Sequence, residues 1–94
     1  MTGEMKTVKP APKMIRDMTN EEFMRLENNF RYHAPFGTQA DRYEFIRHAT
    51  KEIAQIMMER CPESRELSLA LTKLEEAVMW ANAAIARNEK VEQE

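Results

Sequence analysis

Residues 67–88, LSLALTKLEEAVMWANAAIARN, decide the fold. Leu67, Leu71, Leu74, Val78, Ala81 and Ile85 recur by alternate steps of four and three, a heptad-like seam along one long helix. A second stripe of Leu69, Ala70, Ala77, Ala83, Ala84 and Ala86, with Met79 and Trp80, leaves little of the C-terminal half polar. A helix that is apolar on more than one side must be covered from more than one side, and one partner helix does not do that. The stretch reads as the spine of a small helical hairpin that also meets other copies of itself.

The partner helix precedes it. Thr38 or Gly37 opens a helix that runs to about Arg60, with Tyr43, Ile46, Ala49 or Thr50, Ile53 and Met57 recurring at three and four on the face toward the spine. Arg42, Arg47, His48, Lys51 and Glu52 lie largely off that face. Arg47 and Lys51, four apart, are surface neighbours whose like charges a counter-anion would relieve; ordinary solvated positions explain them equally well. Cys61-Pro62-Glu63-Ser64 forms the corner, with Pro62 as first helical residue and Glu63 and Glu66 in the first turn. So short a connection returns the two helices antiparallel. Cys61 then sits at a helix start, where a thiol can be acidified, but no His, Asn or Asp stands in a nucleophile-like arrangement with it, so a structural role is expected.

Further toward the N-terminus, FRYHAPFGTQ (residues 30–39) interrupts regular structure through Pro35 and Gly37. Phe30, Tyr32, His33 and Phe36 crowd rings beside Arg31, the combination that stacking on a base with phosphate pairing requires. The same rings could instead plug the end of a small core. Before them, Thr19 and Glu22 form a capping box for a short helix to about Asn28, whose Phe23 and Leu26 can share a face that packs on the hairpin. Residues 1–18 read as a basic arm with Lys6, Lys9, Lys13 and Arg16, in which Pro10 and Pro12 forbid a helix; it is either a disordered tail or a tether over an anionic ligand. The C-terminal EKVEQE from Glu89 reads as polar and frayed.

Composition narrows the function. At 94 residues the chain is one domain near the lower end of what folds alone. A net charge of −2 gives no global attraction to nucleic acid or an anionic membrane, and no basic stripe continues along either long helix. A single cysteine excludes an intramolecular disulfide and fits a reducing cytoplasm. No apolar run approaches the roughly 20 residues of a membrane span, and the first residues lack a signal-peptide h-region. Eight methionines point to an adaptable core. There is no glycine-rich phosphate loop, no ligand partner for His33 or His48 at metal spacing, and no convergent carboxylate pair, since Glu75 and Glu76 diverge. No enzyme, cofactor or metal site is expected.

At LTKLEEAVMWANAAIARN, together with YHAP, QADRYEFIR and CPESRE, the sequence resembles the small phage helical-hairpin proteins of the anti-CBASS and anti-Thoeris sponge superfamily, with the Thoeris anti-defence branch the nearer in pattern. The resemblance covers about residues 28–89 and leaves the arm outside. It implies a non-enzymatic sponge, acting in the cytoplasm of the infected bacterial host, that sequesters cyclic ADP-ribose isomers or cyclic di- and trinucleotides. It also implies a dimer-based oligomer, typically a hexamer, with pockets between subunits. Carried over residue by residue, Phe30, Tyr32 and His33 fall where the family brings an aromatic segment to the ligand. Arg42 and Arg47, with Lys51 beside Arg47, fall at its basic positions, where a planar guanidinium can hold two phosphate oxygens. Asn82, Arg87 and Asn88 could serve a second pocket.

The expectation is therefore an all-α chain: helices at about 20–28, 38–60 and 62–88 within a domain of residues 19–90, then a tail at 91–94, assembling into a homo-oligomer. The alternative is a helical oligomeric module that docks a host or phage protein through its Met- and Ala-rich surface, for which Met79-Trp80 is the supporting feature.

Overall fold

The computed structural model describes residues 15–90. They form three helices and no strand: α1 (Asn20–Asn29), α2 (Gln39–Arg60) and α3 (Arg65–Asn88). The chain divides into two compact units between Phe30 and Arg31, with α1 in the first and α2 and α3 in the second. Most of the basic arm and the tail at 91–94 lie outside the described residues.

In the first unit the capping box forms as the sequence dictates. The Glu22 N–H donates to Thr19 Oγ1 at 3.1 Å, and the Thr19 N–H donates to Glu22 Oε1 at 3.1 Å. Arg16, the one arm cation among the described residues, joins it through Nη1 at 2.7 Å from Glu22 Oε1. The Arg16 guanidinium and the Thr19 N–H together lower the Glu22 carboxyl below its ordinary pKa. Phe23, Met24 and Leu26 all remain exposed.

The second unit is an antiparallel hairpin of α2 and α3. Twenty-two and 24 residues make rods of about 33 and 36 Å, so the helix ends opposite the corner meet. All six seam residues of α3 are half-buried, as are Tyr43, Ile46, Ala49, Thr50 and Met57 on α2; Ile53 stays exposed, and half-buried Ala54 takes its place on the inner face. Two helices can each bury one stripe and no more. No hydrophobic side chain is therefore fully buried among the described residues, and Leu69, Ile56, Met58, Met79 and Trp80 face outward.

The corner differs from expectation. α3 starts at Arg65, three residues beyond Pro62, because Ser64 is its N-cap, with Oγ accepting the Leu67 N–H at 3.1 Å. Cys61 is consequently not at a helix start. It is the C-cap of α2, donating its N–H to the Met57 carbonyl, and its thiol is exposed. Replacing Ser64 with Ala removes the α3 cap and is expected to cost about 1 kcal/mol, a fall in Tm of about 4–8 °C for a domain of this size, checked by thermal melting followed by circular dichroism.

Candidate functional site

Arg47 and Lys51 stand one turn apart on α2, both exposed, and together edge an open groove of about 410 Å³ between the helices. Its floor is aliphatic: Ala54 and Met58 from α2, with Leu71, Leu74 and Val78 from α3. Glu75 is the single carboxylate at its edge. On the other side, the same two cations border a second hollow on the outer face of α2 with Phe45, His48 and the carboxylates of Asp41 and Glu44. Phe45 is 73% exposed, and His48 Nε2 lies 3.3 Å from Glu52 Oε2. The sequence reading missed Phe45. It falls off the inward face and one turn before His48, and that spacing was the available signal.

The loop between the units' helices separates the predicted ring residues. Phe30 is the C-cap of α1 and belongs to the first unit. Tyr32 and His33 belong to the second, Tyr32 82% exposed and His33 half-buried. Gly37 has φ of +57°, a backbone region that favours glycine and that lets the chain turn sharply into α2. Across that turn the Gln39 N–H donates to the Phe36 carbonyl at 3.0 Å, and the Phe36 N–H donates to Gln39 Oε1 at 3.1 Å.

Gln39 is the one fully buried residue among those described, and it links three parts of the unit. Its Nε2 donates to Glu89 Oε1 at 3.0 Å. Arg42 grips the same carboxylate with both terminal nitrogens, Nη1 to Oε2 and Nη2 to Oε1, each at 2.7 Å, and its Nε donates to Thr38 Oγ1 at 3.0 Å. Thr38 precedes α2 but makes no side-chain cap; its hydroxyl serves Arg42. Glu89 does not fray: its N–H closes α3 on the Ile85 carbonyl at 3.2 Å. The Arg42 guanidinium, then the Gln39 amide, hold the Glu89 carboxyl down to about 2, and the carboxylate in turn raises the Arg42 pKa. Sequence reading assigned Arg42 to phosphate and gave Gln39 and Glu89 no role. Nothing in the spacing of residues 39, 42 and 89 announces a contact across the whole hairpin.

At the C-terminal half of α3, Asn82 has a buried Oδ1 with no hydrogen-bond partner among the described residues. Asn88 Nδ2 donates to the Ala84 carbonyl at 2.9 Å, so this amide serves its own helix end. Arg87 borders a separate hollow of about 510 Å³ with Met79, Trp80 and Ala83 on the outer face of α3. There the Trp80 indole N–H donates to Glu76 Oε2 at 3.4 Å, and Lys73 Nζ lies 3.4 Å from Glu76 Oε1. The three residues thus have different surroundings: Asn82 an unmet acceptor, Arg87 a hollow lined by both carboxylates and apolar side chains, Asn88 a helix terminus. Among the described residues no group of three or more His, Cys, Asp or Glu side chains could hold a metal ion, and no helix is long and apolar enough to cross a membrane.

Fold and site together define a helical-hairpin domain with an apolar groove edged by paired cations. The sequence model described as "Acb2/Tad1, hairpin domain" matches residues 24–86, more than half of the chain, and the protein belongs to that family, the anti-CBASS and anti-Thoeris sponges. Members of this family sequester cyclic nucleotides and are not enzymes. No curated protein and no solved structure matches the chain. The match ends before Glu89, so the carboxylate that binds Arg42 and Gln39 lies beyond it.

The Glu89 carboxyl gives a pH test. Its folded pKa of about 2 lies below the usual value near 4.5. The stabilisation it provides is therefore complete above about pH 4.5 and is lost progressively as the pH falls toward 2. In urea titrations between pH 5 and 2, the wild type should lose stability more steeply than Glu89→Gln, whose side chain does not titrate.

Proposed function

We propose that this protein is a phage immune-evasion sponge: it binds cyclic nucleotide second messengers inside the infected bacterium and withholds them from their receptors without cleaving them. Family membership supports the sponge class. The observation that carries the reading on this chain is the cation-edged apolar groove, in which Arg47 and Lys51 stand over an aliphatic floor. Such a surface suits a molecule with flat apolar faces and anionic phosphates. The guanidinium of Arg47 would take two phosphate oxygens and Lys51 a third. Tyr32 and His33 would supply rings for base stacking. Asn82, Arg87 and Asn88 would serve a second pocket on α3, where the unmet Asn82 Oδ1 is the acceptor for a ligand amine. The cytoplasm of the host is where such signals are made.

We further propose that the working form is a homo-oligomer built from dimers, a hexamer by family analogy. A hairpin without a fully buried hydrophobic side chain among its described residues gains its missing burial between copies, and a ligand held between subunits would stabilise the assembly by mass action. Ligands of this class are cyclic ADP-ribose isomers, cyclic dinucleotides and cyclic trinucleotides. A second reading, an oligomeric module that docks a host or phage protein, rests on Met79 and Trp80, which are 63% and 61% exposed. Self-association through the same pair accounts for that exposure with fewer assumptions.

Native mass spectrometry of the purified protein against cyclic ADP-ribose isomers, cyclic di- and trinucleotides and their linear counterparts separates the two. The sponge reading expects an oligomer that takes cyclic ligands only, and that releases them at unchanged mass after denaturation. A converted product would sink the non-enzymatic claim. An oligomer that takes none of them, but captures a stoichiometric protein, would support the docking module. In the same assay Arg47→Ala should weaken binding by about 1.5–3 kcal/mol, the contribution of a hydrogen bond to a charged group. Unchanged affinity would remove Arg47 from the phosphate site.

A further inference from the structure

We infer that Arg42 is a positioning residue: with Gln39 and Glu89 it clasps the open end of the hairpin and sets the ring-bearing loop at residues 32–36, instead of pairing with a ligand phosphate itself. This rests on the sponge reading for its functional part and on geometry alone for its structural part.

The argument starts from what Arg42 already holds. Both of its terminal nitrogens are engaged by one carboxylate at 2.7 Å, and its Nε by the Thr38 hydroxyl at 3.0 Å. A bidentate guanidinium–carboxylate pair with a third bond uses three of the five N–H donors and neutralises the charge, so a phosphate would have to displace Glu89 to be gripped by the same fork. Glu89 is in turn held by Gln39, so the carboxylate joins α3 to two residues on one face of the first turn of α2. Gln39 passes the constraint on. Its side-chain oxygen holds the Phe36 N–H, and its own N–H holds the Phe36 carbonyl, so Phe36 is pinned from both sides.

The loop is stiff between that pin and the rings. Pro35 fixes its own φ and restricts Ala34 to extended conformations. Tyr32 lies four residues from Phe36 and so within about 14 Å of it. Loosening the clasp therefore frees the backbone that aims Tyr32 and His33. The corner at Cys61–Ser64 ties the two helices at one end by covalent chain; the other end has this network of charge-assisted hydrogen bonds. Because Gln39 is 1% exposed, its amide has no access to water that could replace a lost partner.

The two roles for Arg42 give opposite results at Glu89. If Arg42 acts through the clasp, Glu89→Ala and Arg42→Ala each weaken binding of cyclic di-AMP or a cyclic ADP-ribose isomer by about tenfold, the double variant is no worse than either single one, and the exchanged pair Arg42→Glu with Glu89→Arg recovers part of the loss. If Arg42 is itself a phosphate ligand, Glu89→Ala releases it, so affinity stays level or rises while Arg42→Ala abolishes binding. That pattern overturns the inference.

A second measurement needs no ligand. Hydrogen exchange at the Phe36 amide should accelerate by about tenfold in Glu89→Gln and Arg42→Lys, with the amides of Leu71 and Leu74 at wild-type protection to show that the hairpin is folded. Unaltered Phe36 exchange in both variants would also overturn the inference. If the wild type binds none of the cyclic nucleotides, the sponge reading fails, and the Phe36 amide alone decides whether the clasp exists.

Discussion

Two helices packed side by side share a single seam, and that limit governs this molecule. The seam of α3 is continuous from Leu67 to Ile85, yet each of its residues is only half-buried, because α2 covers one side and nothing else among the described residues of this unit covers the others. The apolar stripe carrying Met79 and Trp80 and the exposed Phe45 on α2 follow from the same shortage of partners. Apolar surface of this extent is uncommon on a protein that works alone. It also explains why hollows occur on the hairpin at all. Met58, outside the seam, helps line a groove that deeper packing would have filled.

Charge is distributed with a matching economy. Arg47 and Lys51 are neighbours without a carboxylate partner among the described residues, whereas Arg42, only five residues earlier on the same helix, is fixed by Glu89. Of the four Arg and Lys side chains of α2, Arg42 thus meets a carboxylate across the hairpin, whereas Arg47 and Lys51 border apolar surface. Glu89 marks the difference: without it, Arg42 would present the same kind of open guanidinium as Arg47. With its pKa held near 2 by Arg42 and Gln39, the Glu89 carboxylate is charged at neutral pH.

Much of the architecture could be read from residues alone. Period and capping chemistry are local, so the α3 seam and the Thr19–Glu22 box were visible before any coordinates. The corner was misplaced because Pro62 and Ser64 each carry a helix-start signal; the Ser64 hydroxyl, which accepts a backbone N–H, prevailed over proline's fixed φ. The candidate site was less legible. Arg47 and Lys51 were identified by their spacing, but their aliphatic floor comes partly from α3, and only the pairing of the helices brings it beneath them. The contacts among Arg42, Gln39 and Glu89 were not foreseen because their bonds span 47 and 50 residues of sequence. Polar pairs that meet only in three dimensions leave no periodicity to find.

Gln39 carries a consequence for how the hairpin chooses its alignment. A seam of leucine, valine, isoleucine and alanine is nearly self-similar, and α2 could slide along α3 by one turn, about 5.4 Å, while still matching apolar against apolar. Such a slip would bring the Gln39 amide opposite a different turn of α3, burying it without Glu89 and leaving its polar atoms unsatisfied. Apolar contacts supply the attraction between the helices, but a polar residue at their end is what makes one register cheaper than its neighbours.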